Sequence, residues 1–577
     1  MDERLKGKPS VEQRWLSSMK ESVDKEIPRG NLYNYLYNSN INNFNGKAFQ
    51  FYGKTITYDE FLDNIDKCVN IFKSMGVEEN DVVPLAMATI PEAAYCFYAL
   101  NKMGAISCMI DPRLNEYGLK RDINIADSKT LVSITNACKK IKNIESQTRL
   151  ENILMLSAVS SAGNNALKKI VGFNDFIKGN TIPRRYINFT KLLENQKYTL
   201  QQNEGYNNKP ATIIFTGGTT GTHKGVLLSN EAINTTVYEH HFIIDNLEKG
   251  EKFLDILPPF IAYGLTSMHL ALCFGLETIM DPVPTPSTFA NQMEKYKPAV
   301  AFGGPIHWEA FARNVNNVDL SNLKFAVSGG EKLPLATEEL VNEAFMKCNS
   351  EAKLIDGYGA TEHCGVIGLK FGDKNSKGTV GYPLRYNKMC ILDPETLEEK
   401  NYNEKGEIFI YGPSMMEGYY KNEEETKKVI IKDAYGRTWF KTGDIGSINE
   451  KGELIVSGRS KRIFVCGVNK IYPPELEEII MQIKGIRKCV VTGVDDKELR
   501  TVPKVHIILD SPYVGDEDRI KSEIESSIKE KIDESAVPKY YSFDEDFLYT
   551  ASGKIDYVGM TKQDNEELNQ KILKKIK

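Results

Sequence analysis

The chain has no run approaching the roughly 18 consecutive apolar residues that a membrane-spanning helix needs, so no transmembrane segment is expected. It also has no excess of positive charge. Its 73 lysines and arginines stand against 78 aspartates and glutamates, a formal net charge of -5, which argues against nucleic acid as a partner. The 10 cysteines contain no Cys-x-x-Cys pair. That spacing gives no support to a Cys/His metal site and reads as reduced, buried thiols of a cytoplasmic protein. His240 and His241 are adjacent, and adjacent side chains diverge, so they offer no metal pair either. The opening Met1-Asp2-Glu3-Arg4-Leu5-Lys6 is charged and lacks the apolar core of a secretory signal. No internal repeat is visible.

What remains is an ordinary globular composition, 41% hydrophobic and 26% charged, on 577 residues, which suggests two or more domains. Strand and helix patterns alternate. A strand at 55–58 runs into an acid-started helix at 59–61, a strand is expected at 81–87, and Pro91 opens a helix reaching Lys102. Such alternation implies an α/β domain with mixed or parallel sheets. Residues 157–195 read as irregular, rich in Ser, Gly and Asn near Ser160–Asn165 and then basic at Lys168, Lys169, Arg184 and Arg185. This segment is expected to be a surface insertion, with a lipid-facing patch as the alternative. After Arg459 a smaller pattern begins: strand 463–465, a turn at Tyr472-Pro473-Pro474, helix 475–481, strands 488–494 and 505–509, and helix 520–532. A boundary is therefore expected near Lys461, dividing the chain into 1–460 and 461–577.

The densest chemistry lies in Thr216-Gly217-Gly218-Thr219-Thr220-Gly221-Thr222-His223-Lys224-Gly225, which follows the apolar run Ala211–Phe215. Glycines let the backbone approach an anion closely. Threonine hydroxyls, backbone N–H groups and the Lys224 ammonium suit a polyphosphate. It is not a Walker A loop, because Gly221 is followed by Thr222 rather than Lys.

This loop resembles the phosphate loop of the AMP-forming adenylating enzymes, the superfamily of acyl- and aryl-CoA ligases, peptide-synthetase adenylation domains and beetle luciferases. Four further segments carry the resemblance, in the family's order: Asp356-Gly357-Tyr358-Gly359-Ala360-Thr361-Glu362, Lys441-Thr442-Gly443-Asp444, Gly458-Arg459-Ser460-Lys461, and Ser552-Gly553-Lys554. The resemblance implies a large N-terminal α/β domain with a small β-barrel-like part, followed by a small mobile α+β domain. It implies that Thr216, Gly217, Gly218, Thr219, Thr220, Gly221 and Lys224 hold the β- and γ-phosphates of ATP. Thr361 would bond the α-phosphate, and Glu362 would bind Mg²⁺ bridging phosphate oxygens. Tyr358, with Gly357 and Gly359 around it, would stack on adenine, and Gly329-Gly330-Glu331 would form the opposite wall. Asp356 would accept from the adenine amino group, Asp444 from the ribose hydroxyls, and Arg459 would add a ribose or phosphate contact. Lys554 would bridge the substrate carboxylate and the α-phosphate as the charge forms. Lys461 would be the hinge about which the second domain rotates before thiol attack, and Gly467 would line the thiol channel.

Two departures bear on specificity. Gly467-Val468-Asn469-Lys470 differs from the family's usual wording near the channel. Ile261 occupies the position after the Pro-Pro-Phe turn where many CoA ligases carry His and amino-acid-activating domains carry Asp. Isoleucine cannot bind an ammonium, so an uncharged acyl or aryl tail is favoured over an amino acid, in a pocket near Ile261, Tyr263 and Gly304. The expected partners are a small carboxylic acid, ATP and CoA, in a monomer or homodimer. The chain ends soon after Lys554, so an attached carrier domain is not expected. The alternatives are a free-standing adenylation enzyme loading a separate carrier protein, a luciferase-type oxidase, and a non-catalytic nucleotide-binding relative.

Overall fold

The computed structural model describes residues 3–19, 21, 28, 30–197, 210–216, 223–244, 246–283, 285–316, 318–371, 376–467, 469–496, 499–532, 534–549 and 554–576. Two large mixed sheets dominate its first part. The nine-stranded sheet runs in the order Tyr382–Pro383, Gly368–Leu369, Leu354–Tyr358, Phe325–Ser328, Val300–Gly303, Lys252–Asp255, Glu277–Met280, Lys47–Phe51, Lys54–Thr57. The run from Leu354–Tyr358 to Lys47–Phe51 is parallel throughout. The eight-stranded sheet runs Gly418–Tyr419, Gly225–Ser229, Pro210–Phe215, Ile106–Met109, Val82–Ala86, Thr130–Ile134, Asn152–Leu156, Ile187–Asn188. It too is parallel from Pro210–Phe215 to its far edge.

Parallel strands need crossovers, and the helices that supply them cover both faces. Helix Pro91–Lys102 is buried at every position, and Ala262–Cys273 at all but one. Both read as apolar nearly all round, as a helix clamped between two layers must. One hydrophobic core joins them to strands of both sheets.

A third, antiparallel sheet is built from Lys388–Leu392, Gly406–Tyr411, Thr438–Ile448, Ile430–Lys432 and Leu454–Arg459, and it stands where the barrel-like part was expected. The smaller C-terminal unit is mainly antiparallel: Asn469–Ile471, Phe464–Cys466, Arg500–Leu509 and Ile486–Asp496, with Tyr540–Phe543 parallel at the edge. Helices Pro473–Ile480 and Glu517–Lys531 pack on it around their own core.

The elements expected at 55–58, 81–87 and 91–102 are present as Lys54–Thr57, Val82–Ala86 and Pro91–Lys102. The reading of 157–195 as irregular is corrected. It holds helix Asn165–Ile177, capped by Asn164, strand Ile187–Asn188 and helix Phe189–Asn195. The Ser/Gly/Asn run is the turn and N-cap of the first helix rather than a structureless loop.

The two units meet closely. Lys332 pairs with Glu478 at 2.9 Å, and Lys405 pairs with Glu475. Gly458 has φ +139, and a Cβ there would stand 2.5 Å from Pro474 Cγ. Glycine at 458 is what lets the second unit come this near.

Candidate active site

The loop expected to hold phosphates follows the C-terminal end of strand Pro210–Phe215, where loop termini gather in such sheets. The Thr216 N–H donates to the Lys224 carbonyl at 2.9 Å, closing the base of the hairpin between Pro210–Phe215 and Gly225–Ser229. Gly217, Gly218, Thr219, Thr220 and Gly221 lie outside the described residues. The Lys224 ammonium pairs with Glu425 at 2.5 Å and sits 4.7 Å from the centroid of the Tyr419 ring. That ring in turn donates its hydroxyl to Glu362 Oε1 at 2.8 Å. Lys224 and Glu362, 138 positions apart, thus share one aromatic neighbour.

Glu362 lies in the short turn Thr361–His363, directly after strand Leu354–Tyr358. That turn fits tightly. A Cβ at Gly359 would meet the Gly365 carbonyl oxygen at 1.9 Å, and one at Gly365 would meet Tyr263 N at 2.6 Å. These glycines weld the Thr361–Glu362 turn onto the start of helix Ala262–Cys273.

Tyr358 ends the same strand and donates its hydroxyl to Asp444 Oδ2 at 2.5 Å. Asp444 Oδ1 pairs with Arg459 Nε at 3.0 Å, and Arg459 also donates to the Thr442 carbonyl at 3.1 Å. Strands Thr438–Ile448 and Leu454–Arg459 are paired with Asp444 opposite Arg459, so the ladder register fixes this contact. Burial raises the Asp444 carboxyl, and the Arg459 charge opposes that shift. Asp356, two residues before Tyr358, is pushed up to about 7 by burial.

The opposite wall forms at Gly329. A Cβ there would touch Tyr263 Cε1 at 3.1 Å, while Gly304, the N-cap of helix Pro305–Asn314, stands 3.6 Å from the Gly329 carbonyl on the same measure. Ile261 stands at the N-cap position of the helix that begins at Ala262, with no capping bond from its side chain. The Tyr263 ring lies over Phe302 with centroids 5.9 Å apart. The Tyr263 hydroxyl and Ser328 Oγ are buried with no hydrogen-bond partner among the described residues. Unpaired buried polar atoms at one wall are what a polar ligand would satisfy.

Lys554 reaches this wall from the second unit. Its charge interacts with Glu331, and the Ile555 backbone N–H donates to the same carboxylate. The residue keeps much of its surface open to solvent, yet the protein around it desolvates the ammonium and lowers its pKa, an effect Glu331 opposes and Arg459 reinforces. Gly467 is the exception among the candidates. It forms the turn between Phe464–Cys466 and Asn469–Ile471, at φ +62, and packs on Leu499 of its own unit. Lys461 lies in the short turn Ser460–Arg462, between Arg459 and the second unit.

Residues 39–420 match the sequence profile of the AMP-binding enzymes, and residues 475–554 match the C-terminal domain of those enzymes. The chain belongs to this family. Among similar AMP-binding enzymes, a long-chain-fatty-acid–CoA ligase of Bacillus subtilis is 28% identical over 94% of this chain and 96% of its own length. A probable 4-coumarate–CoA ligase of Dictyostelium discoideum is 29% identical over 79% of this chain and 82% of its own. In fold, the chain matches the crystal structure of an anthranilate CoA ligase in complex with anthranoyl-AMP, with a TM-score of 0.81 at 20% identity, covering 95% of this chain and 99% of that one.

Two residues of this candidate site escaped the sequence reading. Tyr419 ends a two-residue strand that joins the hairpin of Pro210–Phe215 and Gly225–Ser229 through Gly418↔Leu227, and Glu425 lies in the helix Glu423–Val429 that follows it. Only that long-range pairing brings them to Lys224, so no local spacing signals them. Magnesium carried on a polyphosphate keeps phosphate and water oxygens as most of its ligands and needs only one or two carboxylates. Glu362, half-buried and oriented by Tyr419, fits that demand. No cluster of three or more His, Cys, Asp or Glu able to hold a metal occurs among the described residues.

Proposed function

We propose that this chain is an ATP-dependent carboxylate–CoA ligase that forms an acyl-adenylate and pyrophosphate, then transfers the acyl group to the CoA thiol. The observation that carries this reading is Lys554, a cation of the second unit, beside Glu331 at the edge of the Tyr358–Asp444–Arg459 network. Attack of a carboxylate on an α-phosphate joins two anions, and a mobile ammonium there offsets the charge of the transition state. In this reading Thr216, Gly217, Gly218, Thr219, Thr220, Gly221 and Lys224 take the leaving phosphates. Thr361 bonds the α-phosphate, and Glu362 holds Mg²⁺, which when bound supplies positive charge to the phosphate oxygens. Asp356, Gly357, Tyr358, Gly359, Gly329, Gly330 and Glu331 enclose adenine, and Asp444 and Arg459 hold the ribose. Residues 1–460 and 461–577 act as two bodies about Lys461. Rotation withdraws Lys554 and brings Gly467 to the thiol.

The acid is one with an uncharged tail. In this reading Ile261, Tyr263 and Gly304 line the acyl pocket, and Ile261 stands where an amino-acid-activating domain would place the carboxylate that binds an ammonium. Incubation with ATP, Mg²⁺, CoA and a panel of fatty and aryl acids tests the reading. Acyl-CoA and AMP are expected from at least one acid. Pyrophosphate release with no acyl-CoA from any acid would instead assign the thiol to a carrier protein. No pyrophosphate release from any acid would remove the ligase reading.

A further inference from the structure

Helix Asn165–Ile177 lies apart from the proposed catalytic residues, and its polarity is inverted. One side is seated on the protein. Leu167 and Val171 pack against the core, and Asp175 accepts from Thr135 Oγ1 at 2.7 Å. The turn before it is rigidly placed: Ser160 and Ser161 donate to Glu92 at 2.8 and 2.7 Å, and a Cβ at Gly163 would strike the Gly53 backbone at 2.7 Å. The outward side carries Ile170, Phe173, Phe176 and Ile177, each 59–68% exposed. Their spacing places them on one face of the helix. A helix covering a globular core normally turns such a face inward, and a contiguous exposed apolar patch marks a contact surface.

The surroundings of that face are basic. Lys169 lies on the exposed side of the helix and the half-buried Lys168 at its seated margin, with Lys178, Arg184 and Arg185 just beyond the helix. Residues 157–195 hold six lysines and arginines against two carboxylates, one of which is the engaged Asp175, whereas the whole chain carries -5. Arg185 pairs with Glu145.

We propose that this helix is an interfacial anchor that lies on an anionic lipid bilayer. The four apolar side chains enter the boundary between headgroups and acyl chains, and the lysines meet lipid phosphates. Charge selects this occupant. A second copy of the chain would set the same cations against each other across a two-fold axis, whereas an anionic surface matches them in sign. The inference does not rest on the ligase reading.

The full-length protein, sedimented with vesicles of phosphatidylcholine alone or mixed with phosphatidylglycerol, tests it. Co-sedimentation with the mixed vesicles is expected, weakened by added salt through screening. Phe173→Ser/Phe176→Ser should bind about tenfold or more weakly, because the apolar insertion is lost. Thermal melting, and pyrophosphate release with a short water-soluble acid, should stay unchanged in that variant. If the serine variant does not fold, Lys169→Gln/Lys178→Gln takes its place, with weaker binding and a shallower salt dependence expected. The proposal is overturned if the wild type stays in the supernatant with both vesicle types. It is equally overturned if the folded variants bind like wild type, or if sedimentation velocity shows a wild-type dimer that the serine variant dissolves.

Discussion

Lys554 and Glu362 divide the proposed chemistry between them, and each makes a separate prediction. Lys554→Ala should slow adenylate formation by on the order of 10²–10³ or more while sparing thioester formation from synthetic acyl-AMP. The ammonium serves only the first transition state, so equal loss in both steps would refute its role. The lowered pKa of Lys554 adds a pH signature. Its charge is lost on the alkaline side below the ordinary lysine range, so adenylation should decline there earlier than an unperturbed lysine would allow. Glu362→Gln keeps shape but removes charge, and should cost about 2.7–4 kcal/mol in the adenylation step with the magnesium titration moved to higher concentration. Superimposed titrations would exclude Glu362 as a ligand. Both residues are candidates from the sequence alone because each sits in a dense local motif. Tyr419, which orients Glu362, was not, because its motif is assembled by strand pairing between distant segments.

Single elements carry their own tests. Strand Lys252–Asp255 ends on a buried carboxyl whose Oδ1 accepts from the Leu257 N–H at 3.2 Å and whose Oδ2 has no partner among the described residues. Burial pushes Asp255 up to about 8. A raised carboxyl stabilises the fold fully below its unfolded pKa, and that contribution is lost as pH rises through the folded value. Asp255→Asn does not ionise, so its stability relative to wild type should grow from pH 5 to pH 8, by on the order of 1–3 kcal/mol. Melting curves at both pH values check this, and a constant difference would refute it. Gly458 belongs to the end of strand Leu454–Arg459, where φ +139 and the nearness of Pro474 both demand glycine. Gly458→Ala should cost about 1–3 kcal/mol in backbone strain and hold the second unit away. Pyrophosphate exchange should therefore fall more than thioester formation from acyl-AMP. The expected strands and helices around the motifs formed where apolar periodicity was clear. Residues 157–195 were misjudged because polar caps and exposed phenylalanines disguise the helix Asn165–Ile177.

At the scale of the whole molecule, two bodies meet through Lys332–Glu478 and Lys405–Glu475, with Lys461 between them. A cleft of about 1040 Å³ lies between helix Pro305–Asn314 and Arg487, Lys488, Tyr513 and Tyr549 of the second unit. Proline fixes φ near about -65°, so Lys461→Pro should lock one arrangement. Adenylation and thioester formation should then be damaged unequally, with the second step losing more if the adenylating arrangement is the one locked. Pyrophosphate exchange and thioester formation from synthetic acyl-AMP read the steps separately. Equal loss would indicate misfolding, and no loss would place the pivot elsewhere.

The sequence by itself determined the family and the α/β class and marked the segments proposed to carry the chemistry, because glycine-rich turns and their flanking strands are short-range patterns written in consecutive residues. Only the tertiary structure decided which of those residues touch. The Tyr358–Asp444–Arg459 network depends on strand register in one sheet meeting the end of a strand in another. Lys224 and Glu362 meet through Tyr419 because a two-residue strand crosses to the phosphate-loop hairpin. Lys554 meets Glu331 only through the packing of one unit on the other, a contact between residues more than two hundred positions apart that no spacing in the chain encodes.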